Sequence, residues 1–211
     1  MPRRSILSAA ERESLLALPD TKDELIRHYT FSESDLSIIR QRRGPANRLG
    51  FAVQLCYMRY PGVMLALDEE PFAPVLRQVA TQLKVPLEAW ADYGQRAETR
   101  REHLLELQSV FGFQPFTTRH YRPSVYSLDE LAWQTDKGIV LATTLVDSLR
   151  RKNVLLPTPG VIERICAEAV TRANGRIYAT LSEPLSDMHR RRLDDLLKRR
   201  DNGKTTWLAW L

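Results

Sequence analysis

The sequence has little of what covalent bracing, metal binding and catalysis require. Its two cysteines, Cys56 and Cys166, stand far apart inside apolar helical runs. That placement predicts reduced core thiols and excludes a disulfide framework. No Cys/His pairs fall at zinc-ligand spacing. The four histidines, His28, His103, His120 and His189, are scattered beside arginines or helix ends, and no Gly-x-Ser-x-Gly or His-Glu-x-x-His pattern occurs. Gly203-Lys204-Thr205 lacks the earlier glycine of a phosphate loop, because Lys198 stands in its place, and a charged helix precedes it where a strand is needed. No uncharged apolar run approaches the ~18 to 20 residues of a membrane span. The opening MPRRSILSAAERESLL carries charges through what would be the apolar part of a signal peptide. The expectation is a cytoplasmic chain with no membrane partner.

What the sequence does contain is helix and positive charge. The chain has 211 residues, 43% hydrophobic and 27% charged, enough to bury a core without disulfides or metals. Its net charge is +5 and its pI about 9.4, which permits nucleic acid or an acidic membrane surface as a partner. Ser8 with Glu11 forms a capping box that opens a helix through Leu18, and Thr21 with Glu24 opens a second to about Tyr29. A third starts at Ser32 or Ser34 and runs through Arg40. A fourth, from about Pro45 to Tyr60, carries apolar stripes on two sides (Leu49, Ala52, Val53, Cys56 and Phe51, Leu55, Met58) and is predicted to be central.

Further helices are predicted over 71–84 and 95–112, with a short piece from Pro86 to Trp90. GFQPFTTRHYRPS, rich in Pro, Thr and aromatics, is a candidate boundary. Beyond it, Ser127 with Glu130 reads as another capping box. Helices follow from about Lys137 to Lys152, from Val161 to Leu181 with Ile162, Cys166, Ala169, Ala173 and Ile177 inward, and from Ser186 or Asp187 through Arg200. Along the second of these, Arg164, Glu168, Arg172 and Arg176 form a ladder at four-residue spacing that reads partly as solvated ion pairing. The fold class expected is all-α, a multi-helix bundle of two helical subdomains with helix-turn-helix-like elements. The division expected is 1–116 and 117–211.

Basic clusters recur at helix ends and in loops: RQRR (40 to 43), RR (100 to 101), RHYR (119 to 122), RRK (150 to 152), RRR (190 to 192) and KRR (198 to 200). Some have ordinary explanations. RRK ends a helix, where the macrodipole favours cations, and Arg190 and Arg191 lie four residues before Asp194 and Asp195. RQRR and RHYR have few acids nearby, and Thr117, Thr118, His120 and Tyr121 add polar groups around Arg119, a set suited to phosphates and base edges. ELIRHYTFSESDLSIIRQRR also reads as helix, short turn, helix, with Ser34, Ser37, Gln41 and the arginines on the outer face of its second helix, which in a helix-turn-helix enters the major groove.

GPANRLGFAVQLCYMRYPG at 44 to 62 resembles the N-terminal region of the replicative transposases of the Tn-three family. So do REHLLELQSVFGFQPFTTRHY, the opening SAAERESLLALPDTKDELIRHYTFSESDLSIIRQRR and the closing LSDMHRRRLDDLLKRRDNGKTTWLAWL. The resemblance covers essentially the whole chain. It implies recognition of transposon terminal inverted repeats in double-stranded DNA, in a bacterial protein associated with the nucleoid when bound. It also implies a catalytic acidic triad with divalent metal far downstream, so that no cofactor and no catalytic residue are expected here. Trp207, Leu208, Trp210 and Leu211 would make an odd exposed tail, so the second subdomain is expected to be truncated and to partner the remainder of the transposase. The DNA-contacting residues expected are Arg40, Arg42, Arg43 and Arg48 in the first subdomain, Arg119 and Arg122 at the junction, and Arg150, Arg151, Lys152 and Arg190 in the second. The competing expectations are a helical protein-interaction module for transposase assembly and a stand-alone nuclease.

Overall fold

The computed structural model describes residues 5–66, 69–93, 97–198 and 206–210. Helices among them follow in chain order as α1 (Ala9–Leu15), α2 (Lys22–Tyr29), α3 (Glu33–Arg40), α4 (Gly44–Arg59), α5 (Ala73–Leu83), α6 (Ala97–Phe111), α7 (Thr118–Ser127), α8 (Asp129–Gln134), α9 (Gly138–Arg151), α10 (Pro159–Ser182), α11 (Asp187–Leu197) and α12 (Trp207–Trp210). A 3-10 helix at Leu87–Asp92 lies between α5 and α6. The fold is all-α, as predicted. The Gly203-Lys204-Thr205 triplet, Arg199, Arg200 and Leu211 lie outside the described residues.

The helix starts follow their caps. The Ser8 N–H donates to Glu11 Oε2 at 2.7 Å while the Glu11 N–H returns to Ser8 Oγ at 3.2 Å, which satisfies donors a helix start leaves open. Ser32 and Asp35 repeat the exchange at 2.9 and 3.2 Å, with aspartate in place of the usual glutamate. Thr21 caps α2 by accepting from the Glu24 N–H at 3.4 Å. At the α3–α4 corner Gly44 has φ +80, a conformation that side chains resist.

α4 is the centre of the first core. Every residue from Leu49 to Met58 is buried, because α2, α3, α5, α6 and the 3-10 helix surround it. Fully burying side chains such as Phe51, Leu55 and Met58 contributes roughly 1.5–3 kcal/mol each. Gly50 allows the closest of these approaches, since a Cβ there would lie 2.1–2.3 Å from Tyr93 ring atoms. Arg59 latches α3 onto α4 with two bonds to Asp35, at 2.6 and 2.9 Å, and its guanidinium lies 5.3 Å from the Phe111 ring centroid. Burial pushes the Asp35 carboxyl up, but the bonds from Arg59 and Ser32 outweigh it and the group titrates below its ordinary range.

The second core is built on α9 and α10, which bury Leu141, Ala142, Leu145, Val146 and Leu149 against Ile162, Ile165, Cys166, Ala169 and Ala173. Leu7 and Leu15 join it, so the chain's beginning packs with this core and not with the helices that follow it. The cause is local. Gly138 has no Cβ, which lets the Ile6 carbonyl lie where one would stand at 2.1 Å, and Glu163 accepts from the Ile6 N–H and from Ser5 Oγ.

Other expectations change in detail. α1 ends at Leu15, before Leu18. The Ser127–Glu130 capping box does not form: α7 continues through Ser127, whose hydroxyl turns back to the Ser124 carbonyl at 2.8 Å. The candidate boundary at 112–124 is helix from Thr118 onward, with Pro123 inside α7. Phe113 packs in the first core and Phe116 against the second.

Between the cores the chain segments run side by side. The Gln114 N–H donates to the Asn153 carbonyl and the Leu155 N–H to the Gln114 carbonyl, both at 2.8 Å. The Leu156 N–H donates to the Gly62 carbonyl at 2.7 Å.

Gly50→Ala is expected to lower stability by about 1–3 kcal/mol through overpacking against Tyr93; urea unfolding should show a lower midpoint at unchanged slope. His103 is buried against Tyr93 and Phe51, and desolvation followed by the nearby Arg42 charge hold its pKa below the ordinary value of 6.5. The unfolded chain therefore takes up this proton first. Stability should fall as pH drops through about 6.5, and His103→Phe should flatten that fall in unfolding curves taken at pH 7.5 and 5.5.

Candidate nucleic-acid interface

The arginines around α4 divide by partner. Arg42 is tied to Glu106 on α6 by a short ion pair, with its guanidinium 5.0 Å from the Phe51 ring centroid and its side chain 16% exposed. Arg48 Nε donates to the Arg42 carbonyl at 2.9 Å. Arg150 on α9 donates from Nε to the Pro61 carbonyl at 2.7 Å and lies 4.4 Å from the Tyr60 ring centroid. The Arg42 and Arg150 side chains, 16% and 18% exposed, act inside the protein, and Arg48 is half-buried with its Nε bonded. Arg42 and Arg48 thus stabilise the α3–α4 corner, and Arg150 the contact between the cores.

Other expected residues face outward. Arg40 is 64% exposed and meets Glu33 only at 3.9 Å. Arg43, Arg119, Arg122, Arg151 and Lys152 are all exposed. Arg190 is exposed too, but its guanidinium donates to the Leu185 and Ser182 carbonyls at 3.2 and 3.1 Å, capping the end of α10. The expected pairing with Asp194 is therefore replaced by backbone carbonyls.

α6 relates the outward groups in space. Glu106, which holds Arg42, and Phe111, whose carbonyl accepts from the Asn153 side chain at 3.4 Å, are five residues apart on that helix. At the helical rise this is about 7.5 Å. Arg43 follows Arg42 and Lys152 precedes Asn153, so the α3–α4 corner and the α9 end flank one short stretch of α6. The bridge of Gln114 to Val154 then sets the start of α7 beside that same α9 end. Asn153 takes φ +53 there, just past the helix; an asparagine after a basic helix end is the signal by which it is legible. Gln114 carries no comparable signal.

A depression of about 380 Å³ at the start of α7 is lined by Gln114, Pro115, Thr117, Thr118, Arg119 and His120. Fewer of the polar groups around Arg119 are available than the sequence suggests. His120 Nδ1 accepts from the Thr117 N–H at 3.0 Å, and the Tyr121 hydroxyl donates to Glu168 Oε2 at 3.0 Å. Thr118 and Arg119 remain exposed.

The expected ladder on α10 is also reassigned. Arg172 bonds Asp129 twice at 3.2 Å and lies 4.6 Å from the Tyr126 ring centroid. Arg176 reaches Glu130 at 3.6 Å and stacks 4.9 Å from Trp133. These contacts clamp α10 to α7 and α8.

On α3 the outward side is Glu33, Ser34, Ser37 and Arg40, continuing to Gln41, opposite buried Asp35 and Ile39. It is a polar face at helical spacing, held by the Arg59 latch.

No helix among the described residues is long and apolar enough to cross a membrane. No group of three His, Cys, Asp or Glu side chains among them is arranged to hold a metal ion.

Comparison with known proteins agrees with the resemblance seen in the sequence. Over all 211 residues the chain is 73% identical to the transposase for transposon Tn21 and 70% identical to the transposase for transposon Tn3926, both of Escherichia coli. It is 54% identical over the same length to the transposase for transposon Tn501 of Pseudomonas aeruginosa. The chain spans 21% of the length of each of these relatives. A family model described as "Domain of unknown function (DUF4158)" matches residues 6–169, which take in the first core and all of the second but Ala173, and the chain belongs to that family.

Proposed function

We propose that this chain binds double-stranded DNA at the terminal inverted repeats of a transposon, as the recognising portion of a transposase. The observation that carries the reading is the set of exposed cations at helix ends bordering α6: Arg40, Arg43, Arg151 and Lys152, with Arg119 and Arg122 on adjacent α7. Packed helices hold their backbones in place, so little chain ordering is required when a duplex arrives. Each cation that neutralises a phosphate releases counterions, which supplies much of the affinity. The polar side of α3, with Ser34, Ser37, Arg40 and Gln41, is the element suited to base edges. Divalent-metal chemistry and strand transfer belong, in this reading, to the rest of a transposase, the chain's second partner. The setting is the cytoplasm of a bacterium, on its nucleoid.

Fluorescence anisotropy with labelled inverted-repeat and scrambled duplexes, over a range of salt, tests this. The repeat should bind more tightly, with affinity falling steeply as salt rises. Arg40→Ala with Arg43→Ala, and Arg151→Ala with Lys152→Ala, should each weaken binding at unchanged helix content. Each should also reduce the log–log salt slope by about 0.9 for every phosphate no longer neutralised. Arg42→Ala should instead lower the melting temperature, because it strips Glu106 and Phe51 of their partner. Equal affinity for both duplexes at every salt concentration contradicts the proposal.

A further inference from the structure

α3 is a surface helix with one main partner, α4. It is about two turns long, or about 12 Å at the helical rise. Its sides are sharply divided. Asp35 and Ile39 are buried, Leu36 and Ile38 half-buried, and Glu33, Ser34, Ser37, Arg40 and Gln41 exposed. Gln41 follows the last helical residue with its backbone still helical. At 100° per residue the five exposed positions fall within about 120° of arc, and Asp35 and Ile39 lie on the opposite side.

The two buried residues act differently. Ile39 makes apolar contact, which has no preferred direction. Asp35 is 5% exposed, and its two oxygens accept from the Arg59 guanidinium at 2.6 and 2.9 Å. Those bonds have direction, because a guanidinium is planar and presents its N–H groups as a rigid fork. Arg59 stands at the end of α4, directly after the run from Leu49 to Met58 that is buried throughout, and its guanidinium lies against the Phe111 ring. The same Asp35 carboxylate accepts from the Ser32 N–H at 2.9 Å, so one group both starts α3 and ties it to the core. The apolar contact sets how close α3 sits. The charged contact sets how it is turned.

Rotation matters for reading bases far more than for holding phosphates. Side-chain tips stand ~5–6 Å from a helix axis, so turning α3 by about 20° moves them by about 2 Å. A hydrogen bond to a base edge does not survive that shift. A long arginine can follow a phosphate through it, and the attraction is not tied to sequence. Resting on the reading of α3 as the element that meets base edges, we infer that Asp35 and Arg59 are positioning residues for sequence discrimination. Neither touches the duplex. Their ion pair fixes the rotation of α3, and with it which base edges Ser34, Ser37 and Gln41 reach.

Two variants that conserve charge test this on the 211-residue chain. Arg59→Lys keeps the cation and loses the fork. Asp35→Glu keeps the anion and the cap, since glutamate is the usual residue at this place in a capping box, but lengthens the arm by one methylene. Fluorescence anisotropy with inverted-repeat and scrambled duplexes, at a temperature where circular dichroism shows full helix, gives the ratio of the two affinities. Each variant should lower that ratio about tenfold, the scale of one lost base contact. Affinity for the scrambled duplex and the log–log salt slope should stay as in the unaltered chain. Ser37→Ala with Gln41→Ala should lower the same ratio directly. The inference is overturned if both charge-conserving variants keep the full ratio, or if they lose affinity equally for both duplexes, as a purely structural pair would. A ratio indifferent to Ser37→Ala with Gln41→Ala overturns it as well. An unaltered chain that never tells the repeat from scrambled DNA is a separate failure: it defeats the DNA-recognition proposal and takes this inference with it.

Discussion

Arg150 is where the two halves of the molecule meet. It rises from the end of α9 in the second core, and its Nε bonds the Pro61 carbonyl just past α4, in the first. Its guanidinium covers Tyr60, whose ring stacks on His28 at 4.1 Å and whose carbonyl accepts from the Tyr29 hydroxyl at 3.0 Å. An arginine side chain only 18% exposed is costly to leave unpaired, so the contact is held once formed. Beside it the bonds of Gln114 to Asn153 and Leu155, and of Leu156 to Gly62, extend the join along the backbone. The exposed cations stand on the helix ends this join brings together, and their spacing depends on it.

One residue type thus has two roles within a few positions. Arg42 and Arg43 are neighbours, yet one side chain lies against α6 and the other faces solvent. Arg150 and Arg151 repeat the division at the end of α9. In each pair the inward arginine fixes the backbone from which the outward one projects. An apolar helix can therefore be bracketed by cations with no acid nearby in sequence: its acids are distant in sequence and close in space.

Much of the helical frame was legible locally. Ser8, Thr21 and Ser32 announce their helices because a cap and its partner sit three residues apart, and the two-sided apolar pattern of α4 marks it as central. The side-chain partners were not legible, because they are long-range. Arg42 meets Glu106 across 64 residues and Arg59 meets Asp35 across 24. Arg172 looked like one rung of a ladder on its own helix and turned to Asp129 on α8 instead. The return of the chain's start to the second core depended on Gly138 lacking a single carbon atom, which no periodicity reveals. Of the candidate site, sequence showed which clusters lacked local acids; it took the fold to separate Arg40, Arg43, Arg119, Arg122, Arg151 and Lys152 from the internally bonded Arg42, Arg48 and Arg150. The functional reading itself came from long ordered phrases of sequence, not from composition.

The central claim is that one rigid surface, at the join of the two cores, receives the duplex. Mass-spectrometric mapping of arginine modification by phenylglyoxal, with and without inverted-repeat DNA, tests it most directly. The account predicts that DNA protects Arg40, Arg43, Arg119, Arg122 and Arg151, while Arg42 and Arg150 react poorly in both states. Protection confined to another face, with those five arginines equally reactive in the bound and free states, would contradict it.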